Sequence, residues 1–324
     1  MARKSQTLKP DTILKNYWRS NERFADLFNA VLFQGQQIIK PEELEDIDTE
    51  ESSILEHKDY AETIEASRDN IKIRKRSSEN GIEFVMLGKE AQKHIHYAMP
   101  LRIMGYDYGT YKKQYDDNAS KYKSSQGMDP DEYLSRMKQT DRFTPVVTVV
   151  VYYSEKPWNG ATTLHEMLRI PKEFAAYVND YKMNLFEIAY LSDEQVQMFQ
   201  SDFRIVADYF VQMRKNQNYV APETTIKHVH ELLQLMSVMT KDYRFEEVYH
   251  PDMERKETNM CEVLDRIENR GIKKGTKQGT DTAFTLVRLL MESNRLDDLK
   301  KASEDSSYRE KLIQELFPQN QDPN

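Results

Sequence analysis

Two carboxylates and an amide at one end of a hairpin are the residues of this chain that could do chemistry. The segment "RSSENGIEFVMLGKEAQ", residues 76–92, ends in Glu90 and Gln92, and Asp69 lies at the start of the preceding strand. Side chains two residues apart on a strand share a face, so Glu90 and Gln92 extend the face that carries the apolar residues. Two carboxylates held together at neutral pH repel each other unless one is protonated or a cation lies between them.

The turn of the hairpin sets how close the carboxylates come. Asn80-Gly81 is typical of a two-residue type I′ turn, and with that turn Asp69 faces Gln92. Glu90 is then diagonal to Asp69, at roughly 7–8 Å between the two backbones. We therefore expect both carboxylates to reach one ion.

Magnesium fits such a pair, because it is a hard ion that takes oxygen ligands and keeps several waters, which leaves positions open for a phosphate. The chemistry would be metal-assisted attack of water on a phosphodiester, in which the ion stabilises the developing charge and lowers the pKa of the water. The alternative is that Asp69, Glu90 and Gln92 are solvent-exposed groups at a strand end, and spacing alone favours that interpretation.

The order of the predicted elements indicates an α/β core of residues 1–192 followed by a helical region of residues 193–324. An acidic stretch near residues 40–67 is expected to form loop and short helix. Strands are predicted at 69–76, 82–92, 144–154 and 180–192. Helices are predicted at 12–33, 100–122, 193–215, 223–240, 253–270 and 282–315. The β-branched run "TPVVTVVVYYS" predicts a strand covered on both faces.

Glycines recur every fourth residue in "RGIKKGTKQGT", at Gly271, Gly275 and Gly279. Such spacing lines one face of a helix with hydrogens and lets another backbone approach. The lysines between the glycines exclude burial in lipid. A flexible linker and a helix-packing stripe therefore both remain open.

A formal charge of −8 and a pI near 5.6 give no global electrostatic signature of nucleic-acid binding. Nucleic-acid contacts would come from local patches, of which "KIRKR" (72–76) and "YGTYKKQYDDNASKYK" (108–123) are the candidates; a solvated charged face is the alternative. The chain shows no apolar run long enough for a membrane helix and no apolar core of a secretory signal at its start. A single cysteine, Cys261, excludes a disulfide framework and is consistent with a cytoplasmic protein.

One family resembles this arrangement. Asp69 in "RDNIK", a hairpin, Glu90 and Gln92 in "LGKEAQ", and then "HIHYAMPLRIMGYDYGTYKKQ" resemble the PD-(D/E)XK nuclease superfamily. The likeness is closer to its Rpn-type recombination-promoting, transposase-like nucleases, and it extends from "NERFADLFNAVLF" through "FTPVVTVVVYYSEKPWNGATTLHEML" to the glycine-spaced tail. It implies a restriction-endonuclease-like core, with a mixed central sheet flanked by helices, and a metal-dependent DNA endonuclease of recombination or mobile-element biology.

The resemblance also implies roles for individual residues. Asp69 and Glu90 would bind Mg²⁺ or Mn²⁺, and the first helix would contribute Asp26, with Glu22 less favoured. Gln92 stands where the superfamily usually has lysine; an amide can orient the attacking water but cannot neutralise charge, so slow cleavage or a second metal is expected. DNA contacts would come from Arg102, Tyr111, Gln114, Lys72, Lys112 and Lys113. For Arg102, an ion pair with a neighbour such as Asp107 is an equal alternative.

Two other functions stay open at this point. The chain could be a catalytically degenerate member of the same fold that binds DNA without cutting it, as Gln92 and the acidic net charge suggest. It could instead be a non-enzymatic interaction protein that forms homo-oligomers through its helical C-terminal region. The expected partners are therefore DNA and a second copy of the chain, and no membrane.

Overall fold

The computed structural model describes residues 10–47, 70–78, 81–89, 95–122 and 128–317. The chain forms two compact units, residues 1–260 and residues 261–324. Residues 193–260, which we expected in the helical C-terminal region, belong to the first unit. Within the described ranges, no helix is both long and apolar enough to cross a bilayer.

A five-stranded mixed sheet forms the centre of the first unit, with its strands in the order β1-β2-β3-β4-β5. The strands are β1 (Leu44–Asp46), β2 (Asn70–Ser77), β3 (Glu83–Lys89), β4 (Val146–Tyr152) and β5 (Asn184–Glu187). Neighbours β1, β2 and β3 pair antiparallel, whereas β3, β4 and β5 pair parallel. The prediction of an α/β protein with a mixed sheet flanked by helices is confirmed.

Eleven α-helices surround or follow the sheet in the described part of the chain. They are α1 (Pro10–Arg19), α2 (Asn21–Phe33), α3 (Met99–Lys121), α4 (Pro130–Ser135), α5 (Asp193–Gln197), α6 (Phe203–Asn216), α7 (Val229–Thr240), α8 (Arg244–Glu247), α9 (Met260–Glu292), α10 (Leu296–Glu304) and α11 (Ser306–Leu316). The helix predicted over 12–33 is interrupted at Ser20, whose extended backbone begins α2.

Both faces of the sheet are buried. On one face Val85 and Val150 pack against Met99 and Ile103 of α3. On the other, the ring of Phe84 lies edge-on to Phe28 of α2, with 5.2 Å between centroids. This confirms the prediction from the β-branched run of β4, whose central valines are at most 1% exposed.

The hairpin between β2 and β3 has a longer loop than its sequence predicts. The Ser77 N–H donates to the Ile82 carbonyl at 2.9 Å, and the Gly81 N–H donates to the Ser77 carbonyl at 3.0 Å, so residues 78–81 connect the strands. Ile71 pairs with Gly88, and the predicted pairing of Glu90 with Ile71 is therefore wrong. Because the register moves by two residues, odd-numbered residues of β2 still pair with even-numbered residues of β3, as predicted.

One lysine of the "KIRKR" patch lies in the core. Lys75 is 0% exposed, and its ammonium donates to the Arg19 carbonyl at 2.9 Å and to the side chains of Asn21 and Asp46. Strand β1, which we expected to be loop or helix, supplies Asp46 by pairing with β2. At this position the interpretation of the patch as a nucleic-acid surface is wrong.

The glycine-spaced segment lies within α9, a continuous helix of 33 residues, so the flexible-linker interpretation is wrong. Glycine is less favourable than alanine in a helix interior by about 1 kcal/mol per residue. The end of α9 is stabilised by packing of Leu286 and Leu290 against Ala302 of α10 and Leu312 of α11. Residues 271–280, by contrast, are all exposed.

Candidate active site at one edge of the sheet

Four strands have one of their termini at the same level, on one edge of the sheet. Asn70 pairs with Lys89, Lys89 with Tyr152, and Tyr152 with Glu187, which makes one row across β2, β3, β4 and β5. We call these four residues the terminal row. Strand β2 begins there and the other three strands end there, so the chain segments before β2 and after β3 both leave the sheet at this row.

The predicted catalytic residues Asp69, Glu90 and Gln92 lie outside the described residues. Asp69 and Glu90 each have one described neighbour in the chain, Asn70 and Lys89, whereas both neighbours of Gln92 lie outside the described residues. The side chain of Lys72 also lies outside the description, although its backbone pairs with Leu87. The roles proposed for these four residues stay predictions.

A loop after β4 covers the end of the terminal row. The Trp158 N–H donates to the Glu187 carboxylate at 2.6 Å, and the Trp158 ring lies edge-on to Tyr152 at 5.2 Å. A side chain at Gly160 would come within 3.1 Å of Ile95, so the chain entering α3 lies close against this loop. The contact between Trp158 and Glu187 was not predicted from the sequence; the signal available was a carboxylate at the end of a parallel strand.

Helix α3 begins near the terminal row, because Ile95, four residues before Met99, lies against Gly160 in the loop whose Trp158 contacts Tyr152 and Glu187. Arg102 lies in its first turn, half-buried, and its guanidinium donates to the Tyr106 hydroxyl at 3.0 Å. The Asp107 carboxylate accepts from the Thr148 hydroxyl at 2.6 Å and from the Tyr181 hydroxyl. Burial is the larger cause of the raised pKa of Tyr181, and the hydrogen bond from its hydroxyl to Asp107 raises that pKa further.

Tyr111 and Gln114 lie at the opposite edge of the sheet. The Tyr111 hydroxyl accepts from the Val146 N–H at 3.0 Å, and the Gln114 amide accepts from the Thr144 N–H at 2.7 Å and donates to the Thr144 carbonyl at 3.1 Å. Val146 begins β4, six residues or about 20 Å from Tyr152 in the terminal row. The prediction that Tyr111 and Gln114 flank the site is therefore corrected: they attach the start of β4 to α3.

The predicted DNA-contact lysines of α3 lie on the same distant turn as Tyr111. Lys112 is exposed and pairs with the Asp116 carboxylate, one turn along the helix, while its ammonium lies 5.6 Å from the Tyr115 ring centroid. Lys113 is half-buried. Both lysines are about 20 Å along the helix from Met99, at 1.5 Å per residue, so they would contact DNA away from the reacting phosphate.

Asp26 occupies a structural position. It is 5% exposed, and its two carboxylate oxygens accept from the Gln200 N–H at 3.0 Å and from the Ser201 N–H at 2.8 Å. These contacts fix the turn that leads into α6. The site proposed below therefore rests on Asp69 and Glu90 without Asp26.

Across the described ranges, no group of three His, Cys, Asp or Glu side chains is arranged to bind a metal ion. A metal site at the terminal row would therefore need the carboxylates that flank Asn70 and Lys89 in the chain. The chemistry of that donor set, two carboxylates, fits Mg²⁺ or Mn²⁺.

No protein-family model, curated protein or solved structure matches this chain. The likeness to Rpn-type nucleases thus stays a prediction from the sequence motifs.

Proposed function

We propose that this chain is a metal-dependent DNA endonuclease of the Rpn type, which hydrolyses phosphodiester bonds at the terminal row. The observation that supports this best is the pairing of Asn70 with Lys89. It brings together the two strand ends to which Asp69 and Glu90 are attached.

Covalent geometry limits how far apart the two carboxylates can be. Paired Cα atoms are about 5 Å apart and consecutive Cα atoms 3.8 Å apart, so the Cα atoms of Asp69 and Glu90 lie within about 13 Å of each other in any conformation. If the β2–β3 ladder continued by one more pair, Asp69 and Glu90 would be directly opposite each other. This supports the predicted proximity even though the predicted turn was wrong.

Each residue has a defined task in the proposed reaction. Asp69 and Glu90 would hold Mg²⁺, which when bound supplies a Lewis acid for the phosphate and lowers the pKa of the attacking water. The Gln92 amide would orient that water. Arg102, in the first turn of α3, would bind a phosphate oxygen, aided by the positive end of the α3 dipole.

Nicking of supercoiled plasmid by the full chain with Mg²⁺ or Mn²⁺ tests the proposal, with EDTA as the metal-free control. Asp69→Ala and Glu90→Ala should each abolish nicking. Glu45→Ala, which removes an exposed carboxylate on the same sheet, should leave it intact. Circular dichroism of all variants verifies that they are folded.

Two outcomes would overturn the proposal. Nicking that survives both substitutions would place the active site elsewhere. A wild-type chain that binds DNA but never nicks it would favour the second candidate, a DNA-binding protein without activity, which Gln92 in place of lysine suggests.

A further inference from the structure

The middle of α9 is a helix that carries a strong local charge. Between Arg266 and Lys277 the sequence has five cations and a single carboxylate, Glu268, although the chain as a whole has a charge of −8. This stretch lies entirely within the helix, and four of its five cations are exposed, with Arg266 half-exposed.

Helical geometry places the five cations on one face. At 100° per residue they fall within an arc of about 100°, over a length of about 16 Å. The members of this α9 basic ridge are Arg266, Arg270, Lys273, Lys274 and Lys277. Glu268 and the three glycines lie on the opposite face, so no carboxylate interrupts the ridge until Asp281 at its end.

The lysines of the ridge repel one another. Lys273 and Lys277 are four residues apart and Lys274 and Lys277 three apart, which are the spacings at which like charges destabilise a helix. Among the described residues, none of the ion pairs includes Lys273, Lys274 or Lys277. The segment also contains three glycines, and a side chain added at any of them would meet no atom within 4 Å. A polyanion laid along the ridge would remove the repulsion.

The chemistry of the ridge favours one class of partner over the others. A helix that lies in a membrane surface needs several bulky apolar side chains opposite its cations, whereas here the opposite face has one exposed isoleucine, Ile272, among glycines and Glu268. A second copy of the ridge would bring like charges together. A DNA duplex presents phosphates in regular rows, and the length of the ridge corresponds to about five base-pair steps.

We propose that the α9 basic ridge binds the phosphate backbone of duplex DNA, as a contact surface in addition to the proposed active site. This inference rests on the proposed function for the identity of the partner as DNA. It goes beyond it by assigning a DNA contact to the second compact unit.

Salt-dependent binding tests the ridge without any cleavage. The full chain is titrated with a fluorescent duplex of about 25 base pairs in EDTA, over a series of NaCl concentrations. Replacing Lys273, Lys274 and Lys277 together by Gln should lower the slope of log affinity against log salt by about 2–3, since each phosphate contact contributes about 0.9. The matched control replaces the exposed lysines Lys15, Lys300 and Lys311 by Gln, and should keep the wild-type slope.

A charge-preserving variant separates charge from side-chain identity. Arg in place of the three ridge lysines should restore the wild-type slope. An unchanged slope in the Gln variant would overturn the inference and leave the nuclease proposal standing. The same conclusion would follow if the control variant lost as much of the slope as the Gln variant. Wild-type protein that binds anionic phospholipid vesicles but no duplex would overturn both this inference and the proposal that the partner is DNA. Wild-type protein that binds duplex through the ridge but does not nick plasmid would contradict only the nuclease proposal.

Discussion

Asn70 and Lys89 are backbone partners in the β2–β3 ladder, and each is bonded to one of the two carboxylate residues proposed to hold the metal. The same row continues through Tyr152 to Glu187. The proposed site is thus supported by four hydrogen-bonded strands, and its geometry depends on strand register more than on the conformation of any one loop.

Gln92→Lys should increase the rate of plasmid nicking by about tenfold, equivalent to 1.4 kcal/mol, because a positive charge would stabilise the phosphate in the transition state. The measurement is the initial nicking rate at saturating Mg²⁺. Gln36→Lys adds the same charge at an exposed position and is the control. A rate at or below that of wild type would show that residue 92 does not face the reacting phosphate.

Asp26→Asn should lower the free energy of unfolding by about 1–3 kcal/mol, because it weakens charge-assisted hydrogen bonds to buried backbone N–H groups at Gln200 and Ser201. Urea denaturation measures this, with Glu22→Gln as an exposed control on the same helix. Nicking per folded molecule should not change. Full stability combined with lost nicking would instead return Asp26 to the metal site.

The Lys75–Asp46 pair should respond unequally to the loss of either partner. Asp46→Ala should lower the free energy of unfolding by about 3 kcal/mol, because it leaves the fully buried Lys75 ammonium without its counter-charge. Lys75→Met should change it by only about 1 kcal/mol, since the Asp46 side chain is 51% exposed and can be solvated. Chemical denaturation of both variants measures the difference, and equal losses would contradict the asymmetry.

The same pair predicts a pH dependence of stability. Burial acts to raise the pKa of Asp46, but hydrogen bonds and charge from Lys75 and Arg19 together hold it below its ordinary value. A depressed folded-state pKa stabilises the fold above the unfolded-state pKa of about 4, and this contribution is lost as the pH falls through the folded-state pKa. The stability difference between wild type and Asp46→Asn should therefore shrink from pH 6 to pH 2. A difference that is constant with pH would argue against the depressed pKa.

Gln114→Ala should lower the free energy of unfolding by about 1–2 kcal/mol without changing DNA affinity, because its amide bonds to the Thr144 backbone at the far edge of the sheet. Thermal unfolding and duplex binding are measured on the same sample. Lys112→Ala is the comparison, since it removes an exposed charge from the same turn of α3 and should weaken binding only slightly. A large drop in affinity for Gln114→Ala would restore the predicted DNA contact.

Local periodicity determined much of this protein. The apolar run of β3, the β-branched run of β4 and the helix that begins near Pro100 were all predictable, because each depends on side chains close in the sequence. The motif order that places Asp69 and Glu90 on either side of one hairpin is likewise a property of the sequence.

Tertiary structure decided what depends on partners far along the chain. The hairpin register differs from the one favoured by Asn80-Gly81, because the strands pair along their whole length and β3 is also fixed by β4. Lys75 is buried because β1 brings Asp46 to it, and Asp26 is occupied because Gln200 and Ser201, more than 170 residues away, pack against it. Lys75 and Asp26 each bind a partner that is distant in the sequence and is brought near by the fold. A buried polar group without a partner costs more free energy than local conformational preferences can supply.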